Sequence, residues 1–152
     1  MDLFDEFVSI IGVLEAGRIP YAVCGGMAMA IHGFPRATVD VDLLVPTEAA
    51  AQIVAAVSPL GYNVAAAPMT FAGGAVEIRR VSKIDPQAGD VLSLDLLLVT
   101  PIATLPWATR TRVAWEGGEL SVVSPAGLIA LKRLRGSGQD QDDIRHLEGL
   151  AP

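Results

Sequence analysis

The chain has 152 residues, 51% of them apolar and 18% charged, a globular composition that argues against disorder and allows one domain with a real core. Its formal net charge of −6 argues against coating nucleic acid through bulk charge, although Arg79, Arg80, Lys83, Lys132, Arg133 and Arg135 could still build a local basic groove. The lone Cys24 rules out a disulfide framework and, in an apolar run, reads as a small buried hydrophobe. Aromatic residues make up only 5%, so the core should be aliphatic. Asp2, Asp5 and Glu6 do not suit a signal peptide, and no apolar run approaches the ~20 residues that span a bilayer, so the cytoplasm is the expected location with no membrane partner.

In chain order, Leu3, Phe4, Phe7, Ile10, Ile11 and Leu14 recur by threes and fours, which predicts an amphipathic helix over 2–17 closed by Gly17. Tyr21 to Cys24 follows as a short buried strand broken by Gly25-Gly26, and Met27 to Ile31 suits a turn or two of helix. The glycines thus occupy a strand-to-helix junction. There they serve either as a plain turn or as a place where backbone N–H groups meet a phosphate. After a turn at Gly33-Phe34-Pro35, residues 38–45 read as a strand with Val39, Val41, Leu43 and Val45 on one face and Asp40, Asp42 and Leu44 on the other. The aspartates either solvate an outer face or bind something positive, and Leu44 beside them disfavours a fully wet face. Two carboxylates at i and i+2 repel unless a cation sits between them. A hard cation such as Mg²⁺, bound through carboxylates and substrate phosphates, relieves that repulsion. Near this strand Arg36 either clamps a phosphate or neutralises an aspartate, and His32 reads as a structural hydrogen-bonder or a catalyst.

Pro46-Thr47-Glu48 predicts a helix start capped by the threonine, with Ile53, Val54, Val57 and Leu60 as its buried stripe. Strands are expected at 62–66 and 75–81, with a turn-rich stretch between them at 68–74. The turn Asp85 to Gly89 should then return the chain antiparallel into a strand over 91–99. That strand is apolar except for Asp95. A carboxylate in such a run must be paired, protonated or bound to metal, which leaves an ion pair with Arg79 or Arg36, or partnership with Asp40 and Asp42. Residues 101–106 read as a loop and 110–123 as a hairpin through Gly117-Gly118. Trp107 and Trp115 read as packing residues in preference to base-stacking platforms. Ser124-Pro125 starts a helix whose buried side carries Leu128, Leu131 and Leu134. Lys132 and Arg135 share a face of it, either solvated or in contact with phosphate. Gly136-Ser137-Gly138 breaks the chain before a last helix over 139–147. The expected architecture is α/β, one domain over 1–152, with a mixed sheet flanked by helices (1–123) and a C-terminal helical segment (124–152).

Gly25-Gly26, then thirteen residues, then Asp40-Val41-Asp42, with Asp95 on a later apolar strand, resembles the nucleotidyltransferases of the DNA polymerase beta superfamily. Arg36-x-Thr38-x-Asp40-Val41-Asp42 and Lys132…Gln139-Asp140-x-x-Asp143-Ile144 look like its small bacterial branch related to AbiEii-type toxins. The resemblance implies transfer of a nucleoside monophosphate from a nucleoside triphosphate to an acceptor hydroxyl, on a tRNA end or a protein side chain ahead of a small antibiotic. It implies two Mg²⁺ ions, with Mn²⁺ as a substitute, at Asp40 and Asp42. Asp95 would join the catalytic metal and take the acceptor's proton, and two metals about 3.5–4 Å apart would serve attacking and leaving oxygens. Gly25, Gly26, Arg36, Thr38 and Lys132 would serve the nucleotide, and Asp143 is a motif position that also suits a structural role. A cognate antitoxin would be a partner under the toxin reading. Where many members of the superfamily have Gly-Ser, this chain has Gly25-Gly26, so backbone N–H groups must replace a hydroxyl. The alternative is a non-catalytic nucleotide-binding or partner-binding module on the same fold.

Overall fold

Asp2 begins the first helix, α1 (Leu3–Ala16), by accepting a hydrogen bond from the Asp5 N–H at 2.9 Å, and the helix turns Phe7, Ile10, Ile11 and Leu14 into the core. The structure is a computed structural model and describes residues 1–135 and 138–150. Strand β1 (Ala22–Cys24) runs directly into α2 (Gly25–Ile31), and β2 (Asp40–Val45) leads to α3 (Ala50–Val57). Two short strands, β3 (Val64–Ala65) and β4 (Met69–Phe71), precede the long hairpin of β5 (Val76–Asp85) and β6 (Asp90–Leu98). After α4 (Thr104–Ala108) come a second hairpin, β7 (Thr111–Trp115) and β8 (Gly118–Val122), and the closing helices α5 (Pro125–Arg135) and α6 (Gly138–Glu148).

All strands join one mixed sheet in the order β3-β5-β6-β2-β1-β8-β7, with β4 also pairing β5. β2 and β6 are parallel, while β1 with β2 and β5 with β6 are antiparallel. The central strands are buried: Val41, Leu43, Leu44, Val45, Leu94 and Leu96 are inaccessible, as expected where helices cover both faces. The mixed α/β architecture therefore agrees with the pattern of the sequence.

The register places Cys24 opposite Asp42, Asp42 opposite Asp95, and Asp95 opposite Arg80. One row thus crosses β1, β2, β6 and β5, with neighbouring strands about 4.8 Å apart.

Several local expectations are corrected. Thr47 lies inside a 3₁₀ turn (Thr47–Ala49) and makes no side-chain cap, because the backbone enters α3 through that turn. The strand expected from residue 38 starts at Asp40, and Val39 is 76% exposed instead of belonging to the inner face. The turn-rich 68–74 stretch contains β4, and the 101–106 loop is a 3₁₀ turn followed by α4. The strand expected over 62–66 shrinks to Val64–Ala65 because the Tyr62 and Asn63 N–H groups bond back to the Val57 and Gly61 carbonyls. Gly136-Ser137, expected as a break, lies outside the described residues. Trp115 packs edge-on against Phe4 and Phe7, and Trp107 carries the Arg110 guanidinium at 3.8 Å from its ring. His32 Nε2 pairs with the Val123 carbonyl at 2.8 Å, which ties the end of α2 to the end of β8. Among the described residues no helix is long and apolar enough to cross a membrane.

Candidate active site

Gly25 adopts φ +65°, a conformation that L side chains rarely take, and this lets the chain pass from β1 into α2 against the Asp42 carboxylate. A β-carbon at Gly25 would collide with Asp42 Oδ2. Gly26 is glycine for a different reason. It is buried, and a β-carbon there would lie 2.6 Å from Thr38 Oγ1. Gly25 lines the site, whereas Gly26 and Thr38 pack against each other behind it, with the Thr38 hydroxyl donating a long bond of 3.4 Å to the Asp40 carbonyl.

Asp40, Asp42 and Asp95 open onto a single cavity of about 630 Å³, in the range usual for small-molecule sites. Its remaining walls are Arg80 and Lys132 together with an apolar surface that includes Phe71, Ile78, Leu97 and Leu131. The structure therefore brings together the three acids that the sequence singled out. Burial first, then the nearby Asp95 carboxylate, pushes the Asp40 carboxyl above the ordinary range, with Arg80 opposing.

Asp95 is only 6% exposed, and its counter-ion is neither Arg79 nor Arg36. Arg80 Nε donates to Oδ1 at 2.7 Å and Nη2 to Oδ2 at 2.9 Å, a bidentate fork. Alternation along β5 decides this: Arg80 shares the cavity face with Val76 and Ile78, and Arg79 is turned to the other face. Part of the signal lies in the sequence, since alternation from Ile78 sets residue 80 on the same face, but the register that brings it to residue 95 comes from the pairing of β5 with β6.

Arg36 and Lys132 are committed elsewhere. Lys132 is 5% exposed and not on a solvated face. Its Nζ lies 3.0 Å from Asp143 Oδ2 and 3.9 Å from Asp140 Oδ1, and Arg36 Nη2 lies 3.2 Å from the same Asp143 oxygen. Phe34 stacks on His146 at 5.1 Å between centroids. Asp143 thus joins α5, α6 and the loop that leads into β2, so α6 holds the approach to the carboxylate strand. Of the sequence-predicted basic groove, Arg80, Lys83 and Lys132 enter separate ion pairs, Lys83 with Glu6 at 2.9 Å. The Arg135 side chain lies outside the described residues.

For a divalent cation the donor set divides. Asp40 and Asp42 offer oxygen ligands from one strand face, which suits Mg²⁺ held by one or two carboxylates and substrate phosphates. Among the described residues, however, no group of three or more His, Cys, Asp or Glu side chains is arranged to hold a metal ion. Both oxygens of Asp95 are occupied by Arg80.

No family model and no curated protein matches the chain. Solved structures do. A Thermotoga maritima protein described as a candidate nucleotidyltransferase superposes with a TM-score of 0.64 at 13% identity, covering 97% of this chain and 93% of that one. The structure of ANT(2")-Ia in complex with adenylyl-2"-tobramycin gives 0.65 at 15% identity, covering 95% and 87%. JHP933 from Helicobacter pylori gives 0.58 at 15% identity, covering 95% and 63%. The fold is that of the nucleotidyltransferases.

Proposed function

We propose that the protein is a metal-dependent nucleotidyltransferase that moves a nucleoside monophosphate from a nucleoside triphosphate to an acceptor hydroxyl. The observation that carries this reading is the in-register pair Asp42 and Asp95, with Asp40 one step along the same face, open to one cavity beside the Gly25 junction. Mg²⁺, or Mn²⁺ in its place, would be held by Asp40 and Asp42 and would neutralise the triphosphate and the departing pyrophosphate. Gly25 lets the backbone lie against the Asp42 carboxylate at the cavity wall. Asp95 orients the acceptor hydroxyl for in-line attack on the α-phosphorus. A new phosphorus–oxygen bond forms to the acceptor as the bond to the bridging oxygen of the β-phosphate breaks, and pyrophosphate leaves. The hydroxyl proton passes to Asp95 or to water.

The cavity wall bears on the acceptor. Among the described residues the lining apart from the three aspartates is apolar or cationic, so a polycationic aminoglycoside such as tobramycin finds no further anionic partner among them. A protein side chain or a tRNA end fits better. The toxin reading is a narrower form of the same proposal, with an antitoxin as partner. It rests on Lys132, Asp140 and Asp143, whose ion pairs also serve the fold.

A second reading, a nucleotide-binding module without turnover, is favoured by the closed Arg80–Asp95 pair. One experiment separates the two. Transfer of α-³²P label from each of the four ribonucleoside triphosphates, with Mg²⁺, is followed into tRNA and protein fractions of a lysate, with Asp42→Asn as control. Label transferred only by the intact protein supports the enzyme. A nucleotide-dependent rise in melting temperature without label supports the binding module, and neither signal sinks both.

A further inference from the structure

Arg80 ends the row that begins at Cys24 and passes through Asp42 and Asp95, and it is the lining residue whose role the nucleotidyltransferase reading leaves unassigned. We propose that Arg80 is an internal counter-cation of this site, which pairs with Asp95 in the metal-free protein and competes with a divalent cation for the carboxylate cluster. The proposal rests on the metal-dependent reading above.

Three carboxylates facing one cavity need positive charge nearby. Two cationic side chains among the described residues line that cavity, Arg80 and Lys132. Lys132 is 6% exposed in its side chain and already lies against Asp143 and Asp140 on another helix, so it is not available to the row. Arg80 supplies the charge by its fork on Asp95, and Asp40 and Asp42 add attraction at longer range.

The two partners differ in their freedom to move. The Asp95 side chain is 8% exposed and sits on a central strand, whereas the Arg80 side chain is 38% exposed at the cavity wall. A divalent ion that takes an oxygen of Asp95 must break one arm of the fork, and the long arginine stem can swing toward the open side of the cavity while the aspartate stays. A cation that binds then trades one positive partner for another, and the affinity of the site for metal is set in part by how tightly Arg80 holds on.

The test is Mn²⁺ binding, read by electron paramagnetic resonance of the unbound ion at fixed ionic strength and without nucleotide, on the wild-type chain, Arg80→Ala, Arg80→Gln and Arg80→Lys. Removing the competing charge should tighten Mn²⁺ binding about tenfold or more in Arg80→Ala and Arg80→Gln, and Arg80→Lys should stay near wild type. Arg80→Gln keeps a hydrogen-bond donor beside Asp95, so it answers the question if the alanine variant does not fold. Melting in EDTA should fall in both neutral variants and recover with Mn²⁺ by more than in the wild type. Mn²⁺ affinity that is unchanged or weaker in the neutral variants overturns the proposal and leaves the metal-dependent reading standing. Absence of Mn²⁺ binding in every protein, wild type included, both without nucleotide and with a non-hydrolysable nucleoside triphosphate present, overturns both.

Discussion

Gly25 and Asp42 lie in contact across the β1–β2 pair, so that a β-carbon on residue 25 would stand 2.8 Å from Asp42 Cγ and overlap Oδ2. Gly25→Ala therefore meets two obstacles, the positive φ and the carboxylate. It should destabilise the fold by about 1–3 kcal/mol and displace Asp42 from its place in the cavity. Urea denaturation reads the first effect, and loss of nucleotide-dependent thermal stabilisation reads the second.

Asp42→Asn should abolish label transfer while changing the melting temperature little, because it removes one charge from a crowded set of carboxylates. Asp95→Asn should abolish transfer too but also cost about 1–2 kcal/mol, since it breaks the fork to Arg80, whose 38% exposed side chain lets solvent screen the loss. Turnover at the wild-type rate in either variant would contradict the proposed reaction.

Lys132→Met takes one cation away from Asp140 and Asp143, both buried. Arg36 still reaches Asp143, so the expected loss is about 3 kcal/mol, near the lower limit for breaking a buried pair. The double variant Lys132→Met, Asp143→Leu should be less damaged than the sum of the single variants. A double-mutant cycle in urea measures this coupling. Strict additivity would mean that Lys132 does not act through Asp143.

Acid stability should depend on Glu15. Hydrogen bonds from Arg112 hold its carboxyl below the ordinary glutamate range, burial opposes this, and the Tyr21 hydroxyl adds to the lowering. A depressed folded pKa means that the folded state binds fewer protons, so this stabilisation is complete above the ordinary value of about 4.3 and is lost as pH falls through the folded value. Glu15→Gln should lower the urea midpoint at pH 7 and lower it less at a pH below the ordinary glutamate value of about 4.3. An equal gap at both pH values would assign the effect to packing.

Much of the site was readable from short-range pattern. Alternation on β2 places Asp40 and Asp42 on one face whatever surrounds them, and a carboxylate within V-L-S-L-D-L-L-L-V announces itself because burial of a lone charge is costly. The partners of those charges were less legible. The choice of Arg80 over Arg79 depends on where β5 begins and on its register with β6, and a shift of one residue reverses every side chain. The sequence leaves Lys132 either solvated or in contact with phosphate, because α5 taken alone gives no sign that Asp140 and Asp143 on α6 will cover it.

By itself the sequence determined the elements with strong periodicity: α1, the β5–β6 hairpin set by Asp85–Gly89, the glycine junction and the three acids. Those follow from backbone preference and from the period of apolar residues, which are local properties. Only the tertiary structure decided that β2 lies between β1 and β6, which brings Asp42 and Asp95 into register, and that Arg80 closes on Asp95 while Arg36 and Lys132 share Asp143. Strand order and charge pairing depend on contacts between segments far apart in the chain, and each cation had several acids of similar local appearance to choose from.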